Sequence, residues 1–223
     1  MEQEEIKNLI LGKIKKAKPA SHPLPDVPFF PYSKNAEEDF VTHLIGFDGR
    51  AIKFKTRENS IKWLLEQPEL NNEKNRIFSS AAGIQGNVEE TAFEDNNEIA
   101  EINTCVTEGL LGVGEMGAIW VTNESLGNTA CALLARKLFI LLDYANIVGS
   151  MHEAYSKIKL GKTQYGSFFT GPSATADIEA VHITGAQGPL SLTALIYNSP
   201  DADDQPQLLV NPNADTSIWA EKE

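Results

Sequence analysis

Cysteine is scarce in this sequence: Cys105 and Cys131 are two among 223 residues. That scarcity excludes a disulfide scaffold and any four-cysteine zinc or iron–sulfur site built from this chain alone. Basic residues are also short, 19 Lys and Arg against 31 Asp and Glu, for a formal charge of −12. Such a field repels phosphate backbones and anionic lipid heads, so no nucleic acid or membrane surface is expected as partner. A local basic pocket for a small carboxylate or phosphate ligand stays open. Long apolar runs are missing too, far short of the roughly 20 residues of a membrane span. The opening MEQEEIKNLI is acidic and polar where an export signal needs a basic segment and an apolar run. The expectation is a soluble, cytoplasmic protein. His22, His43, His152 and His182 show no HxH or HExxH spacing, so no metal site is expected. What the chain does have is apolar residues, 42% with ten Phe and three Trp, enough for a sizeable core. The length suits one domain with arms.

Residues 1–35 read as a helix followed by a proline-rich arm. Ile6, Leu9, Ile10 and Ile14 recur at helical spacing, and five prolines then fall in PASHPLPDVPFFP. That arm has two docking places open to it, its own domain or a neighbouring subunit of a homo-oligomer. Residues 36–198 carry the α/β pattern. Asn35 and Thr56 are candidate caps of two helices, the second stopped by Pro68. Ala51–Lys55, Arg76–Ser79, Ala118–Thr122, Leu138–Leu142, Tyr165–Thr170 and Leu192–Tyr197 read as strands. A helix with Val148, Met151, His152, Tyr155 and Ile158 on one face lies among them. Strands alternating with helices predict an α/β fold with a mostly parallel sheet flanked by helices. Residues 89–101 hold six acids, most simply a solvated loop or helix face, and 199–223 form an acidic tail.

Three segments carry candidate chemistry. Gly112, Gly114 and Gly117 spell GxGxxG, but a strand pattern, AIWVT, follows where a dinucleotide site needs a helix. A tight turn into a central strand is the better reading. It leaves Glu115 at its mouth, as general base, ligand-binding carboxylate, structural ion pair or exposed acid. GPSATADIE, residues 171–179, follows the strand pattern YGSFFT. That strand end offers the amides and hydroxyls of Ser173 and Thr175 to a ligand, and a helix start there would suit a phosphate or carboxylate. The alternative is that the two residues simply cap a short helix whose dipole Asp177 complements. Gly185 and Gly188, in GAQGP, add a second backbone-lined wall or only a chain reversal. A Ser173, His182, Asp177 triad has no GxSxG elbow behind it and is not adopted.

GPSATADIE followed by GAQGP resembles the C-terminal signature of the LutC/YkgG family, the LUD-domain lactate-utilization proteins. GVGEMGAIWV is similar to that family's glutamate turn, with Glu115 and Gly117 on matching positions. Met116 and Ala118 stand where the family usually carries threonines, which changes any site those hydroxyls would serve. The similarity covers roughly residues 99–197, and more loosely 36–80.

The resemblance implies a NagB/RpiA/CoA-transferase-like fold with a pocket at strand ends. It implies a part in oxidising L-lactate to pyruvate, beside an iron–sulfur LUD-type protein and a cysteine-rich oxidoreductase. Clusters are expected in those partners and no cofactor in this chain. On this reading Glu115 is the catalytic candidate. Gly171, Ser173, Thr175, Asp177, Glu179, Gly185 and Gly188 are the ligand-binding candidates. Two rivals stand beside it: a stand-alone enzyme on sugar phosphates or CoA esters with Glu115 as base or nucleophile, and a regulatory binding module.

Overall fold

The computed structural model describes residues 3–23, 25–26, 28, 30–32, 35–88, 99, 101–159, 165–178, 181–185, 187–203 and 205–210. The acidic stretch 89–98 and the tail beyond 210 therefore lie outside the described residues. The chain forms two compact units, residues 1–30 and 31–223. In the first, α1 (Gln3–Ala17) opens on Glu4 and Glu5 and ends on Lys15 and Lys16, complementing its dipole. Its Ile6, Leu9, Ile10 and Ile14 are exposed. Among the described residues no helix is long and apolar enough to cross a membrane.

In the second unit, α2 (Ala36–Gly46) starts where Asn35 Oδ1 accepts the Glu37 and Glu38 N–H groups. It leads into β1 (Arg50–Lys53). Thr56 caps α3 (Arg57–Leu65) by accepting Asn59 N–H. Pro68 then occupies the first turn of a short α4 (Pro68–Asn71), where its missing N–H costs nothing. β2 (Ile77–Ser79) and β3 (Thr104–Gly109) follow. Next come β4 (Leu111–Val113), β5 (Ala118–Thr122), α5 (Asn123–Leu126), α6 (Thr129–Leu134) and β6 (Lys137–Asp143). β7 (Ile147–Val148), α7 (Met151–Lys157) and β8 (Gly166–Phe169) precede the hairpin of β9 (Ala174–Ile178) and β10 (Val181–Thr184). β11 (Ser191–Tyr197) and β12 (Gln207–Leu209) end the described chain.

The main sheet runs β12-β1-β11-β6-β3-β2. All its pairs are parallel except β12 with β1. β6 shows why the sheet is covered on both sides. Leu138, Ile140 and Leu142 enter one apolar cluster with Phe40 and Leu44 of α2 and Cys131 of α6. Phe139 and Leu141 enter the other with Leu64 of α3. Alternate side chains point to opposite faces, so a continuous apolar run marks a strand buried on both. The expected α/β architecture with a mostly parallel central sheet is what the chain adopts.

Two expectations need correction. AIWVT is not in the parallel sheet: β5 lies in a second sheet, β7-β4-β5-β8, paired antiparallel with β4 and β8. β4 is joined to β5 by the four residues 114–117, so the chain folds back on itself instead of crossing over. The segment after Gly171 is not a helix start either. Residues 174–178 form β9 of a two-stranded hairpin, so Ser173 and Thr175 cap no helix there.

Candidate functional site

The glutamate turn is built against α2. Gly117 has φ 58°, and a Cβ there would overlap the Leu44 N–H group. Glycine is thus required both for the left-handed turn and for the close approach. The His43 Nδ1–H group donates to the Gly114 carbonyl at 2.7 Å. Glu115 is exposed, and its carboxylate Oε1 accepts Met151 N–H at 2.7 Å, holding the start of α7. Close by, the Tyr32 hydroxyl donates to Asp39. Burial, reinforced by the Asp39 hydrogen bond, pushes the Tyr32 pKa up to about 12. Glu115→Ala is expected to cost about 0.5–1 kcal/mol through the lost cap. Urea midpoints measure that loss, and a loss of activity at unchanged midpoint would instead give Glu115 a chemical role.

The hairpin residues sit elsewhere. Gly171, with φ 62°, lies against the Phe47 carbonyl at the far end of α2. Gly114 meets Ala36 at its beginning, so the two contacts are about 15 Å apart along the helix. Ser173 closes the hairpin base. Its N–H donates to Pro189 O at 2.8 Å, its carbonyl accepts Gly185 N–H at 2.7 Å, and its hydroxyl donates to Gln187 O at 3.1 Å. Thr175 stands opposite Ile183. Glu179 and the side chain of Asp177 lie outside the described residues. Gly185 and Gly188 line a cavity of about 620 Å³ with Leu133, Leu134, Arg136 and Leu190. Among the candidates, then, Ser173, Gly185 and Gly188 are brought together, while Glu115 is not with them.

That hairpin abuts the amino ends of the parallel strands, since the Leu190 and Ser191 N–H groups bond to the Arg136 carbonyl where β6 and β11 begin. The carboxyl ends, where open α/β sheets commonly bind ligands, carry a different set. Arg57 Nη2 donates to Glu108 and, at 2.7 Å, to the Ala82 carbonyl, while Ala82 N–H donates to Glu108 Oε1 at 3.2 Å. Burial raises the Tyr197 pKa, with Asp143 and Glu108 adding to it and Arg57 opposing. Asn198, with φ 59°, donates from Nδ2 to Asp143 at 3.1 Å. A cavity of about 810 Å³ opens beside this cluster at the end of β2, lined by Ser79, Ser80, Gly83, Gln85 and Gly127 among others. The Ser79 hydroxyl is buried there with no partner. Sequence reasoning missed Arg57, Glu108, Tyr197 and Arg136. No local motif links them; only their positions at strand ends would have drawn attention to them.

Both cysteines are packing residues. Cys105 and Cys131 are fully buried in the larger apolar cluster, and burial pushes the Cys105 thiol well above its ordinary range. Among the described residues no group of His, Cys, Asp and Glu is arranged to hold a metal ion.

The sequence model of the LUD domain matches residues 2–197. The chain belongs to the LUD-domain family. No curated protein sequence matches it. Among solved structures, a DUF162 family protein from Deinococcus radiodurans is similar, with a TM-score of 0.52 and 13% identity. The likeness covers 73% of this chain and 96% of that one. At that identity the likeness is one of fold, and it agrees with the parallel sheet and flanking helices of this LUD domain. The association of LUD domains with lactate utilization gives its general setting.

Proposed function

We propose that this LUD-domain chain is a LutC/YkgG-type component of a cytoplasmic lactate-utilization system and that it carries no redox centre of its own. The LUD match over residues 2–197 carries this reading. The burial of both cysteines supports the division of labour. Converting L-lactate to pyruvate removes two electrons and two protons. In this reading the electrons pass to clusters on an iron–sulfur LUD-type partner and a cysteine-rich oxidoreductase. This chain then holds a small anion or docks a partner. The test is lactate-dependent dye reduction by the partners with and without this chain. Activity is expected to fall when it is omitted, and unchanged activity would overturn the proposal.

The cluster of Arg57, Glu108 and Tyr197 at the carboxyl edge favours a second reading. There the isolated chain turns over a sugar phosphate or a CoA ester, with Glu108 as general base or nucleophile. The kinship to isomerases and CoA transferases that the LutC/YkgG resemblance implies is analogy and assigns no substrate. This reading expects turnover by the isolated chain that Glu108→Gln abolishes. A screen of both substrate classes without turnover would remove it.

A further inference from the structure

Of the four arginines in the sequence, three are engaged. Arg57 pairs with Glu108, Arg76 pairs with Glu101, and Arg50 is drawn toward Glu69. Arg136 takes no side-chain partner among the described residues, although acids outnumber bases by 31 to 19. The cavity it lines also holds Leu133, Leu134 and Leu190, with Gln187 and two glycines, and no acid is among its lining residues. Leu133 and Leu134 are both exposed, at 39% and 43%. An unpaired guanidinium between leucines is a binding group without its counter-ion.

The frame around it is fixed. The Arg136 carbonyl accepts Leu190 N–H at 2.8 Å and Ser191 N–H at 3.3 Å, pinning its main chain where two central strands start. The opposite wall, Gly185 and Gly188, is held by the three Ser173 hydrogen bonds at the hairpin base. At about 620 Å³ the cavity falls in the range of small-molecule sites and is far larger than a three-carbon acid.

We propose that this cavity binds an organic monocarboxylate with an apolar body of several carbons. The carboxylate pairs with Arg136, and the carbon chain lies on Leu133, Leu134 and Leu190. A guanidinium offers a two-pronged match to a carboxylate, and the leucines gain by losing contact with water. The inference goes beyond the lactate reading and does not rest on it.

The experiment is an NMR titration of the full chain with octanoate, L-lactate and inorganic phosphate. Octanoate is expected to give saturable shifts at Gly185, Gly188, Leu133, Leu134 and Leu190, with lactate and phosphate binding more weakly. Arg136→Gln should weaken octanoate by about tenfold or more, since a charge-assisted pair is lost. Arg136→Lys should recover part of it, with the charge but without the fork. The Arg136 side chain is at the surface, so both variants should melt with the parent. No saturable shift at millimolar octanoate, phosphate binding as tightly as octanoate, or equal affinity in Arg136→Gln would each overturn the site. Because no lactate turnover is measured, this result is independent of the fate of the lactate reading.

Discussion

Replacing Lys53 by alanine is expected to destabilise the fold by about 3–5 kcal/mol, the usual consequence of leaving a buried charge without its partner. Lys53 and Glu37 are 8% and 6% exposed, and Lys53 Nζ lies 2.9 Å from Glu37 Oε1. The ammonium also reaches Asp201 Oδ2 at 3.0 Å. The Ser199 hydroxyl lies 3.1 Å from Glu37 and 2.6 Å from Asp201, within hydrogen-bond reach of both. The cluster thus ties β1, the first turn of α2 and the segment after β11 together. In Lys53→Ala the Glu37 carboxylate stays behind in a site that excludes water. Replacing both partners, Lys53→Met with Glu37→Met, removes that penalty and should cost much less. Urea denaturation of the two variants decides the matter. A Lys53→Ala cost below about 1 kcal/mol, the range of a surface pair, would show that Glu37 finds water once Lys53 is gone.

The same cluster sets a pH dependence. Burial alone lowers the Lys53 pKa, but hydrogen bonds from the ammonium to Glu37 and Asp201 outweigh it and leave the pKa above its ordinary value. Hydrogen bonds from Ser199 and Lys53 hold the Asp201 pKa below its ordinary value. The Lys53 contribution is therefore complete below the unfolded lysine pKa of about 10.4 and is lost as pH climbs through the raised folded one. The Asp201 contribution is complete above the unfolded carboxyl pKa of about 3.9 and is lost as pH falls through the depressed folded one. Asp201 is 59% exposed, so solvent screening makes its share small. Stability should be flat between those two regions and decline mainly on the alkaline side. In Lys53→Met/Glu37→Met the alkaline decline should shrink.

The parallel sheet was legible because β6 spells its burial residue by residue. KLFILLD is apolar at every interior position, and only a strand covered on both faces places five such side chains. Caps were legible for the same local reason, since the Asn35 and Thr56 side chains bond to N–H groups two or three residues away. The small second sheet was not. AIWVT has the composition of a central strand, and composition does not say which sheet a strand joins; that is fixed by the short turn from β4. GPSATADIE misled in another way. Ser and Thr before an acid look like a helix start, yet Pro189 and Gly185 supply a carbonyl and an N–H that bind Ser173 into a hairpin. Those partners are 12 and 16 positions away, beyond any local rule. The candidate site shows the same limit. Arg57 and Glu108 are separated by 51 positions and meet only through strand register and the Ala82 loop.

Trp120→Ala should cost about 3–5 kcal/mol, as large aromatic truncations in cores do. The indole is 9% exposed in the third apolar cluster, with Leu111, Val113, Val148 and Ala154. Its ring centroid is 4.8 Å from that of Phe168, its partner across β8, in a tilted pair. On the other cross-strand side it faces Leu111. Gly166 is small because the indole occupies the space a Cβ there would need. Truncation to alanine therefore opens a void beneath two strands, and neither Gly166 nor its backbone can move in to fill it. Trp120→Phe keeps an apolar ring against Phe168 and should cost less than half as much. Because Ile119 and Val121, the neighbours of Trp120 in β5, belong to the main cluster, the loss should appear in one cooperative urea transition followed by circular dichroism. Two separate transitions would show that the small sheet unfolds on its own. A loss below about 1 kcal/mol would show that the indole is held at the surface and not packed between β4 and β8.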